Sequence, residues 1–378
     1  MRLHEREMDR EDLERLTGDT AAAGGIREVV LANGPERSVR ALEFRTGTGL
    51  AFDVLVDRAM DLGAAEFRGQ SIAWRAAVGV QRPGLRESGG DPSMAWMRSV
   101  NGLLATGGLD HISSPQAVDA SQYNLPSRPK ISHGLHGRVT EIPARLIGFG
   151  EQWQEGRCTL WAESEIRQAA LFAENLELRR RIESDLGGNE IRIRDTVRNR
   201  GFDSTPHMML YHFNFGWPLL EAGASIEAPV LGTRWRTPEY SGLSPAWNVI
   251  EEPVPGANEQ VFEQVLAADG DGLRTVCLLN WRLGVGIEME WSARQLPCFY
   301  QWMLLRAGVN VLGLEPATHH IEGDQAARDD GSMIWLEHGE ERCYNIRLRV
   351  LAGKEQLQRA ATKVAATLKH AQESSSPA

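Results

Sequence analysis

Short runs of alternating or apolar residues, separated by turn residues, dominate the chain from about Ile26 onward. The separating residues are Gly, Pro, Asn or Asp and recur about every 8 to 12 residues, a spacing typical of antiparallel sandwiches and barrels. The pattern therefore predicts an all-β fold built on large antiparallel sheets. The clearest runs are residues 27–31, 39–44, 50–56, 157–165 and 173–184.

The clearest hairpin is predicted between Glu174 and Asn199. Two alternating strands flank the segment 185–189, DLGGN, whose glycines supply the positive φ values that a tight connection needs. Two further strand groups are predicted over residues 275–290 and 333–350. The chain should therefore form consecutive antiparallel strands joined by short turns.

Helices are predicted only near the two ends of the chain. Residues 4–16 are mostly charged and suggest a short surface helix that ends at Gly18. We found no internal repeat and no low-complexity linker, so we predict one domain over residues 1–378 with its core at about 20–352. Lys354–His370 predicts a C-terminal helix, because its apolar residues recur at three- and four-residue steps: Leu357, Ala360, Ala361, Val364, Ala365 and Leu368.

Composition and charge narrow the classes of function. Hydrophobic residues make up 42% and charged residues 24% of the chain, so a sizeable core is expected. A net charge of -10 argues against nucleic acid and anionic membranes as partners. The first twenty residues hold no signal-like apolar run, and no segment approaches the length of a membrane span, which favours the cytoplasm. Without CxxC spacing, the cysteines are interpreted as reduced thiols: Cys158, Cys277, Cys298 and Cys343.

The first candidate cluster combines residues 96–111 with the segment 133–138, HGLHGR. Glycines on both sides of His136 allow the backbone to turn and bring this side chain close to a ligand. Arg98 and Arg138 offer forked donors suited to hydroxyl or carboxylate groups. The alternative interpretation is that His136 merely caps a turn.

The second cluster lies in the segment 206–218. If Tyr211–Phe215 is a strand, His212 and Asn214 face one side of the sheet, and the three aromatic residues face the other. Burying the polar pair without partners would cost about 1–3 kcal/mol for each group. The pattern therefore favours a ligand-facing site, with a satisfied structural pair as the alternative.

The third cluster covers residues 296–302 and 309–318. Glu315 is expected to end an apolar strand, because the following Pro316 should block further pairing and fix the carboxylate at the mouth of the sheet. There it would act as a base of raised pKa; the alternative is a surface Glu at a strand end. His319 and His320 are adjacent, without metal-ligand spacing, and no P-loop or GxGxxG pattern occurs, so no metal and no cofactor are predicted.

Five segments in order resemble the aldose 1-epimerase or galactose mutarotase superfamily, in particular its bacterial aldose-1-epimerase-like branch. Together they span most of the chain, which makes the match more specific than any single motif. The segments are Arg58–Gly63 (RAMDLG), Gly102–Leu109 (GLLATGGL), Leu135–Arg138 (LHGR), Tyr211–Gly216 (YHFNFG) and Gly313–Pro316 (GLEP).

The resemblance implies a β-supersandwich that binds a monosaccharide or sugar derivative across a concave sheet. It also implies that Glu315 takes the proton of the anomeric hydroxyl while His212 protonates the ring oxygen. The ring then opens, the C1–C2 bond rotates, and reclosure gives the other anomer, without a cofactor. Binding of the sugar is expected from Arg98, His136, Arg138, Asn214 and Trp302, with Glu259 as the candidate acidic group that grips sugar hydroxyls.

Several alternatives remain open at this stage. The Arg58–Asp61 segment lies outside the mutarotase site and is interpreted as structural, for example as an ion pair at a strand end. A non-catalytic carbohydrate-binding or sensing protein would use the same fold. A sugar lyase is a third possibility, for which Arg98 and Tyr211 are the relevant residues. The identity of the sugar and a homo-oligomeric state also stay open.

Overall fold

The computed structural model describes residues 1–84, 91–123, 129–237 and 246–375. Its helices are α1 (Arg10–Thr17), α2 (Pro92–Met97), α3 (Asp324–Asp329) and α4 (Lys354–Ser375). The first strands are β1 (Arg2–Leu3), β2 (Arg6–Glu7), β3 (Gly25–Val30), β4 (Arg40–Arg45), β5 (Leu50–Leu55), β6 (Asp61–Phe67), β7 (Gln70–Ser71), β8 (Leu104–Leu109), β9 (Gln116–Asp119), β10 (Lys130–His133), β11 (Arg145–Gln154) and β12 (Arg157–Ala169). The remaining strands are β13 (Asn175–Asp185), β14 (Glu190–Asn199), β15 (Thr205–Phe215), β16 (Ser225–Glu227), β17 (Val230–Trp235), β18 (Gln260–Leu266), β19 (Leu273–Asn280), β20 (Val285–Ser292), β21 (Cys298–Leu304), β22 (Val311–Ala317), β23 (Ile334–Leu336) and β24 (Glu341–Ala352).

Three large antiparallel sheets carry the architecture. One sheet has the order β3-β4-β5-β6-β7, and a second has the order β11-β12-β13-β14-β24-β20-β19-β16. The third has the order β17-β18-β21-β22-β15-β23, and β8 also pairs with β15. The predicted all-β fold is thereby confirmed, and β15 lies in the interior of the sheet that carries two of the three candidate clusters.

The alternation in β12 to β14 shows why the sequence folds in this way. In β12, every second side chain from Cys158 to Gln168 is buried, while most residues between them are partly or fully exposed. The predicted hairpin is confirmed, since β13 and β14 pair from Leu176–Asn199 to Glu183–Arg192. The strand period of two therefore fixed which residues enter the core.

The two faces of β15 contribute to different apolar clusters. Tyr211, Phe213 and Phe215 belong to the main core, together with residues of the five-stranded and eight-stranded sheets. Met208 and Leu210 belong to a smaller cluster with residues of β21, β22 and α3. All eleven residues of β15 are buried, so His212 and Asn214 lie in the interior and not on an open surface.

Two predicted elements differ from the structure. The N-terminal helix begins only at Arg10, after a short β1–β2 hairpin, because Asp9 caps the helix by accepting the backbone N–H of Asp12. Its predicted end at Gly18 is confirmed, and the C-terminal helix extends five residues beyond the predicted end, to Ser375.

The expectation that Glu315 ends its strand is wrong. Pro316 pairs with Phe299, and β22 continues to Ala317. The missing N–H of the proline interrupts pairing on the side of β15 only. On that side Phe213 pairs with Leu314 and Leu210 pairs with Ala317, but the residues between them form no ladder pairs. Glu315 therefore lies inside a central strand, with 4% of its surface exposed.

The two charged residues of the Arg58–Asp61 segment form ion pairs with residues outside the segment. Arg58 contacts Glu141 at 3.1 Å, and Asp61 binds the fully buried Arg180 at 2.9 Å. Asp61 also accepts hydrogen bonds from Thr106. The segment therefore connects β6 to β8 and β13. None of the described helices has the length and apolar character needed to cross a membrane.

Candidate active site

The register of three adjacent strands places a row of polar side chains on one face of the sheet. Glu315 on β22 pairs with Tyr300 on β21, and Tyr300 pairs with Glu263 on β18. Residues directly opposite each other in neighbouring strands share a face. These three side chains therefore lie side by side on the face opposite to the main core.

His212 extends this row on the neighbouring strand. It lies where Pro316 interrupts the ladder between β15 and β22. His212 Nε2 lies 3.2 Å from Glu315 Oε1. The second and third sequence clusters therefore meet here, and the two residues predicted as acid and base are in contact.

Gly313 provides the space in which these two side chains meet. A Cβ atom at this position would lie 2.6 Å from Glu315 Oε1 and 3.1 Å from His212 Cε1. Both separations are shorter than ordinary van der Waals contacts. The glycine of the GLEP segment is therefore needed for the close approach of His212 to Glu315.

Burial shifts the pKa values of the pair in opposite directions. Loss of solvation raises the pKa of Glu315 to about 8, with a further contribution from the nearby carboxylate of Glu259. Burial lowers the pKa of His212 to about 4. At neutral pH the favoured state of the pair is consequently a protonated Glu315 beside a neutral His212.

Polar atoms of these residues remain without partners within the described part of the chain. Glu315 Oε1, His212 Nδ1 and Asn214 Oδ1 are buried and accept or donate no hydrogen bond there. The amide nitrogen of Asn214 is satisfied, because it donates to the carbonyl oxygens of Gly102 and His212. Buried polar groups are normally paired. The unsatisfied atoms therefore mark a place that is suited to a polar ligand.

A second histidine and a tryptophan lie over this pair. The rings of His136 and His212 are 5.8 Å apart between centroids, and Trp96 of α2 lies 4.8 Å from His136 and 6.0 Å from His212. Burial lowers the pKa of His136 well below its ordinary value, and His212 adds to this effect. The first cluster therefore joins the other two at this place.

The tautomer of His136 follows from its backbone neighbour. The N–H of Ser113 donates to His136 Nδ1 at 3.2 Å, and the N–H of His136 donates to the carbonyl of Ser113 at 2.8 Å. A neutral ring that accepts at Nδ1 carries its proton on Nε2. Both residues have positive φ, 78° for Ser113 and 54° for His136, a strained geometry that is common at ligand sites. His136 can thus donate one hydrogen bond from Nε2.

Trp302 and Glu259 border the pair on the side of β21 and β18. The ring of Trp302 lies 5.6 Å from that of His212 between centroids. Its Nε1–H donates to Glu259 Oε2 at 2.8 Å. A half-buried indole next to a carboxylate suits the apolar face and the hydroxyl groups of a sugar. The role of both residues in substrate binding stays a prediction.

The two candidate arginines are placed differently. The guanidinium of Arg138 pairs with Glu174 at 2.5 Å and donates to the carbonyl of Ala169 at 3.1 Å. Both contacts are made by Nη2, and the contact of Arg138 with a sugar stays a prediction. Arg98 is half-buried and forms the C-cap of α2, the helix that carries Trp96. Its role in binding stays a prediction.

Sequence reasoning assigned no role to Trp96 and Tyr300, which line this site. Tyr300 lies two residues before Trp302 in a strand, so the strand period alone would have placed both on one face. Trp96 has no such signal, because its position depends on the packing of a short helix. Among the described residues, no three His, Cys, Asp or Glu side chains are arranged as metal ligands.

Comparisons with known proteins agree with the fold. A family model described as a domain of unknown function (DUF4432) matches residues 36–350. The structure of a protein from Klebsiella pneumoniae subsp. pneumoniae MGH 78578, provisionally assigned as an aldose 1-epimerase, is similar with a TM-score of 0.81 at 21% identity. This match covers 91% of the present chain and 87% of that one. No curated protein matches the sequence.

Two more distant structures are similar over most of both chains. A galactose mutarotase-like protein from Clostridium acetobutylicum has a TM-score of 0.54 at 11% identity, covering 88% of this chain and 99% of that one. Galactose 1-epimerase from Lactobacillus acidophilus NCFM has a TM-score of 0.50 at 11% identity, covering 87% and 99%. At such identities the likeness establishes a galactose mutarotase-like sandwich fold. The reaction has to be argued from the site.

Proposed function

The chain belongs to the DUF4432 family, and from this premise we propose that it is an aldose 1-epimerase-like isomerase that interconverts the anomers of a monosaccharide. One observation carries the proposal: Glu315 and His212 lie 3.2 Å apart, buried, with unsatisfied polar atoms, on the face of the sheet that Trp302 and His136 also line. The names of the similar structures point to the same class of reaction.

The close contact of Glu315 and His212 suits proton transfer at the two oxygens bonded to C1 of a sugar, the anomeric hydroxyl and the ring oxygen. Anomer exchange removes a proton from the hydroxyl on C1 and adds one to the ring oxygen, which is bonded to the same C1. A neighbouring acid and base can reach both atoms at once. In the proposed reaction Glu315 takes the hydroxyl proton, His212 protonates the ring oxygen, and the C1–O5 bond breaks to give the open-chain aldehyde.

The proton needed for this division of roles is already present in the pair. A protonated Glu315 beside a neutral His212 contains the same number of protons as a carboxylate beside an imidazolium. The two forms differ only in which of the two residues carries the proton, and His212 Nε2 lies 3.2 Å from Glu315 Oε1. The pKa values of about 8 and about 4 favour the neutral form, and each form offers one donor and one acceptor.

Three neighbouring residues would hold the sugar. Trp302 offers an apolar face for stacking, and Glu259 beside it can accept hydroxyl hydrogen bonds. His136 can donate from Nε2, because its Nδ1 is already engaged by Ser113. A ring fixed in this way would present C1 to the pair, and orientation of this kind lowers the barrier together with the acid and base.

The test is a measurement of anomer exchange on a panel of freshly dissolved monosaccharides, by polarimetry or NMR exchange spectroscopy. The protein should accelerate exchange of at least one sugar. We expect Glu315→Gln and His212→Asn each to reduce kcat by about 10²- to 10⁴-fold, the usual contribution of a general acid or base. Glu155→Gln and His370→Asn alter exposed side chains in the same way and should leave the rate unchanged.

Two outcomes would contradict the proposal. If no sugar of the panel exchanges faster than in buffer, the isomerase assignment fails. If a sugar binds and exchanges but the Glu315 and His212 variants match their controls, the pair is not catalytic. Binding without exchange would favour a carbohydrate-binding protein.

A further inference from the structure

Asn214 is a buried side chain with one unpartnered atom beside Glu315 and His212. Its exposed fraction is 0%. Its Nδ2 donates to the carbonyl oxygens of Gly102 and His212, at 3.2 and 3.0 Å, and its Oδ1 has no hydrogen-bond partner in the described part of the chain. Exchanging the two amide atoms would set an oxygen against two carbonyl oxygens, so these contacts fix the orientation of the amide. Asn214 therefore presents a hydrogen-bond acceptor, and no donor, to a ligand.

Asn199 has the same amide arrangement with both of its atoms paired. It is also 0% exposed, and its Nδ2 also donates to two carbonyl oxygens, those of Asp203 and Leu336. Its Oδ1, however, accepts the N–H of Gly201 at 2.8 Å. Leaving a buried acceptor unpaired costs free energy, which a structural role does not require. The free Oδ1 is thus the feature that separates Asn214 from a structural asparagine.

The sheet register places Asn214 directly at the proposed acid and base. Asn214 belongs to β15, as His212 does, and the period of two puts both side chains on one face. Gly313 pairs with Asn214 on one side and with Trp302 on the other. The space over Gly313, which has no side chain, is where Glu315 meets His212. Asn214 and Trp302 therefore flank this contact from opposite sides, with Asn214 on the side of β15.

His212 adds a donor on the same side. A neutral imidazole that accepts the proton of Glu315 at Nε2 carries its own hydrogen on Nδ1. This Nδ1 is also buried without a partner among the residues that the structure describes. The β15 side thus offers an acceptor on Asn214 and a donor on His212, two residues apart on one face. A hydroxyl group suits such a place, because it both donates and accepts.

The proposed roles of Glu315 and His212 decide which hydroxyl lies there. Glu315 on β22 takes the proton of the hydroxyl on C1, and His212 on β15 protonates the ring oxygen, so the ring oxygen is oriented toward β15. The ring oxygen of a pyranose is bonded to C1 and C5, and C6 of a hexose is attached to C5. The C6 group therefore extends toward β15, whereas C2 is bonded to C1 on the side away from the ring oxygen.

We propose that the substrate is a hexopyranose with a free 6-hydroxyl group, which Asn214 selects by accepting a hydrogen bond from that hydroxyl at Oδ1. This inference rests on the function proposed above and narrows its substrate class. A 6-deoxy sugar ends there in a methyl group and a pentopyranose in a hydrogen atom, and neither can donate. Both leave Oδ1 unpaired, and a site that pairs with a substrate hydroxyl rejects the analogue without it.

The experiment measures kcat/KM of anomer exchange by NMR for D-galactose and D-glucose and for the 6-deoxy, 6-deoxy-6-fluoro and 2-deoxy analogues of each. L-Arabinose and D-xylose are the matching pentoses without C6. One hexose or both should exceed the 6-deoxy, 6-fluoro and pentose analogues by about 10-fold or more, the effect of one hydrogen bond to a buried acceptor. Fluorine cannot donate, so the fluoro analogue tests for the donor. A 6-deoxy, 6-fluoro or pentose analogue that is as fast as its parent in both series overturns the inference.

Two matched variants connect the preference to Oδ1. Asn214→Ala and Asn199→Ala each truncate a fully buried asparagine whose Nδ2 holds two carbonyl oxygens. In Asn214→Ala the ratio of the parent rate to the 6-deoxy rate should fall to about 1, whereas a structural defect alone would lower both rates and keep the ratio. In Asn199→Ala the ratio should stay that of the wild type.

Thermal unfolding verifies that both variants are folded, and the fluoro series on the wild type needs no variant. An unchanged ratio in Asn214→Ala overturns the inference. The same holds if the variant abolishes the effect of the 2-deoxy substitution in place of the 6-deoxy effect, because Oδ1 would then serve the 2-hydroxyl.

Binding measurements separate this inference from the proposed function. If no sugar is epimerised, the isomerase proposal fails, and the same sugars are then compared by titration calorimetry. A hexose that binds about 10-fold tighter than its 6-deoxy analogue, with the difference lost in Asn214→Ala, still supports selection by Asn214. Equal binding of parent and 6-deoxy sugars, or no binding of either hexose, overturns it.

Discussion

Two buried groups of ionisable side chains lie on opposite faces of β15. One contains Tyr211, and the other contains the next residue, His212. On the core face, Tyr211 donates to Asp195, and Asp195 binds Arg180, which also binds Asp61. On the other face, His212 contacts Glu315. In the part of the chain that the structure describes, no side-chain atom of the first group is buried without a hydrogen-bond partner. In the second group, Glu315 Oε1 and His212 Nδ1 are buried without one.

The difference separates a structural ion cluster from Glu315 and His212, which we proposed as acid and base and call the reactive pair below. The guanidinium of Arg180 donates to both carboxylates and also to the carbonyl of Ala59 and the hydroxyl of Thr106, so its burial is compensated. Burial of Glu315 is not compensated in this way, and its pKa rises to about 8. Hydrogen-bond satisfaction thus distinguishes the two groups where burial does not.

The largest effect on this comparison is expected from Arg180→Met. It leaves Asp61 and Asp195 buried without their cation, and breaking a buried ion pair in this way costs about 3–5 kcal/mol of unfolding free energy. Urea unfolding measures the loss. Arg145→Met is the matched control, because the Arg145–Glu165 pair is exposed and should contribute less than about 1 kcal/mol. Equal losses would mean that the cluster is not a structural ion network.

Gly313→Ala tests the steric requirement of the reactive pair. The added methyl would lie 2.6 Å from Glu315 Oε1 and must displace it; overpacking of this size costs about 1–3 kcal/mol. We expect kcat to fall by about 10- to 100-fold, the rate equivalent of such a cost. Gly232→Ala adds a methyl with no atom within 4 Å and should keep full activity. An unchanged kcat in Gly313→Ala would argue against catalysis by the 3.2 Å contact.

The reactive pair should also leave a signature in the pH dependence of stability. Glu315, with its pKa raised from 4.5 to about 8, keeps its proton in the folded state after the unfolded chain has lost it, so stability falls as pH rises through this range. The pKa of His212 is lowered from 6.5 to about 4, so between about pH 4 and 6.5 this residue makes stability rise with pH and opposes the effect of Glu315. Above pH 6.5 only the effect of Glu315 remains.

The expected change in unfolding free energy follows from the pH interval of 6.5 to 8, in which only Glu315 of the pair titrates. From pH 6.5 to 8 the unfolding free energy of the wild type should fall by about 2 kcal/mol relative to Glu315→Gln. Urea unfolding of both proteins at the two pH values measures it, and other titrating groups cancel in the difference. If the wild type and the variant show parallel pH dependence, Glu315 has an ordinary pKa.

The smallest effect is expected from Tyr211→Phe, next to His212 on the same strand. It removes one hydrogen bond to Asp195, while Asp195 keeps its contacts with Arg180. The unfolding free energy should fall by about 1.5 kcal/mol, and anomer exchange should be unchanged because the hydroxyl faces the core. A large loss of kcat with unchanged stability would show that the two faces of β15 are coupled.

Much of the fold was predictable because strands have a local signature. The alternation in Tyr211–Phe215 correctly assigned the aromatic residues to the core and His212 to the other face. The hairpin of β13 and β14 and the C-terminal helix were also predicted. The predicted start of α1 was wrong, because Asp9 caps the helix and the preceding residues form a hairpin.

The candidate site was predicted less completely, because its geometry depends on non-local contacts. Pro316 was expected to end its strand, yet it pairs with Phe299 and interrupts only the ladder toward β15. A proline removes one donor, and the sequence does not tell which neighbouring strand would have used it. The placement of Trp96 over the two histidines and the pairing of Arg138 with Glu174 likewise involve segments distant in sequence.

The sequence by itself determined which side chains share a face of each strand, since that depends only on the strand period of two. Only the tertiary structure decided that Glu315 lies against His212, with Tyr300 in the next position of the row. The register between strands that are not consecutive in the chain is set by packing of the whole core. The pair therefore exists only after the sheets have assembled.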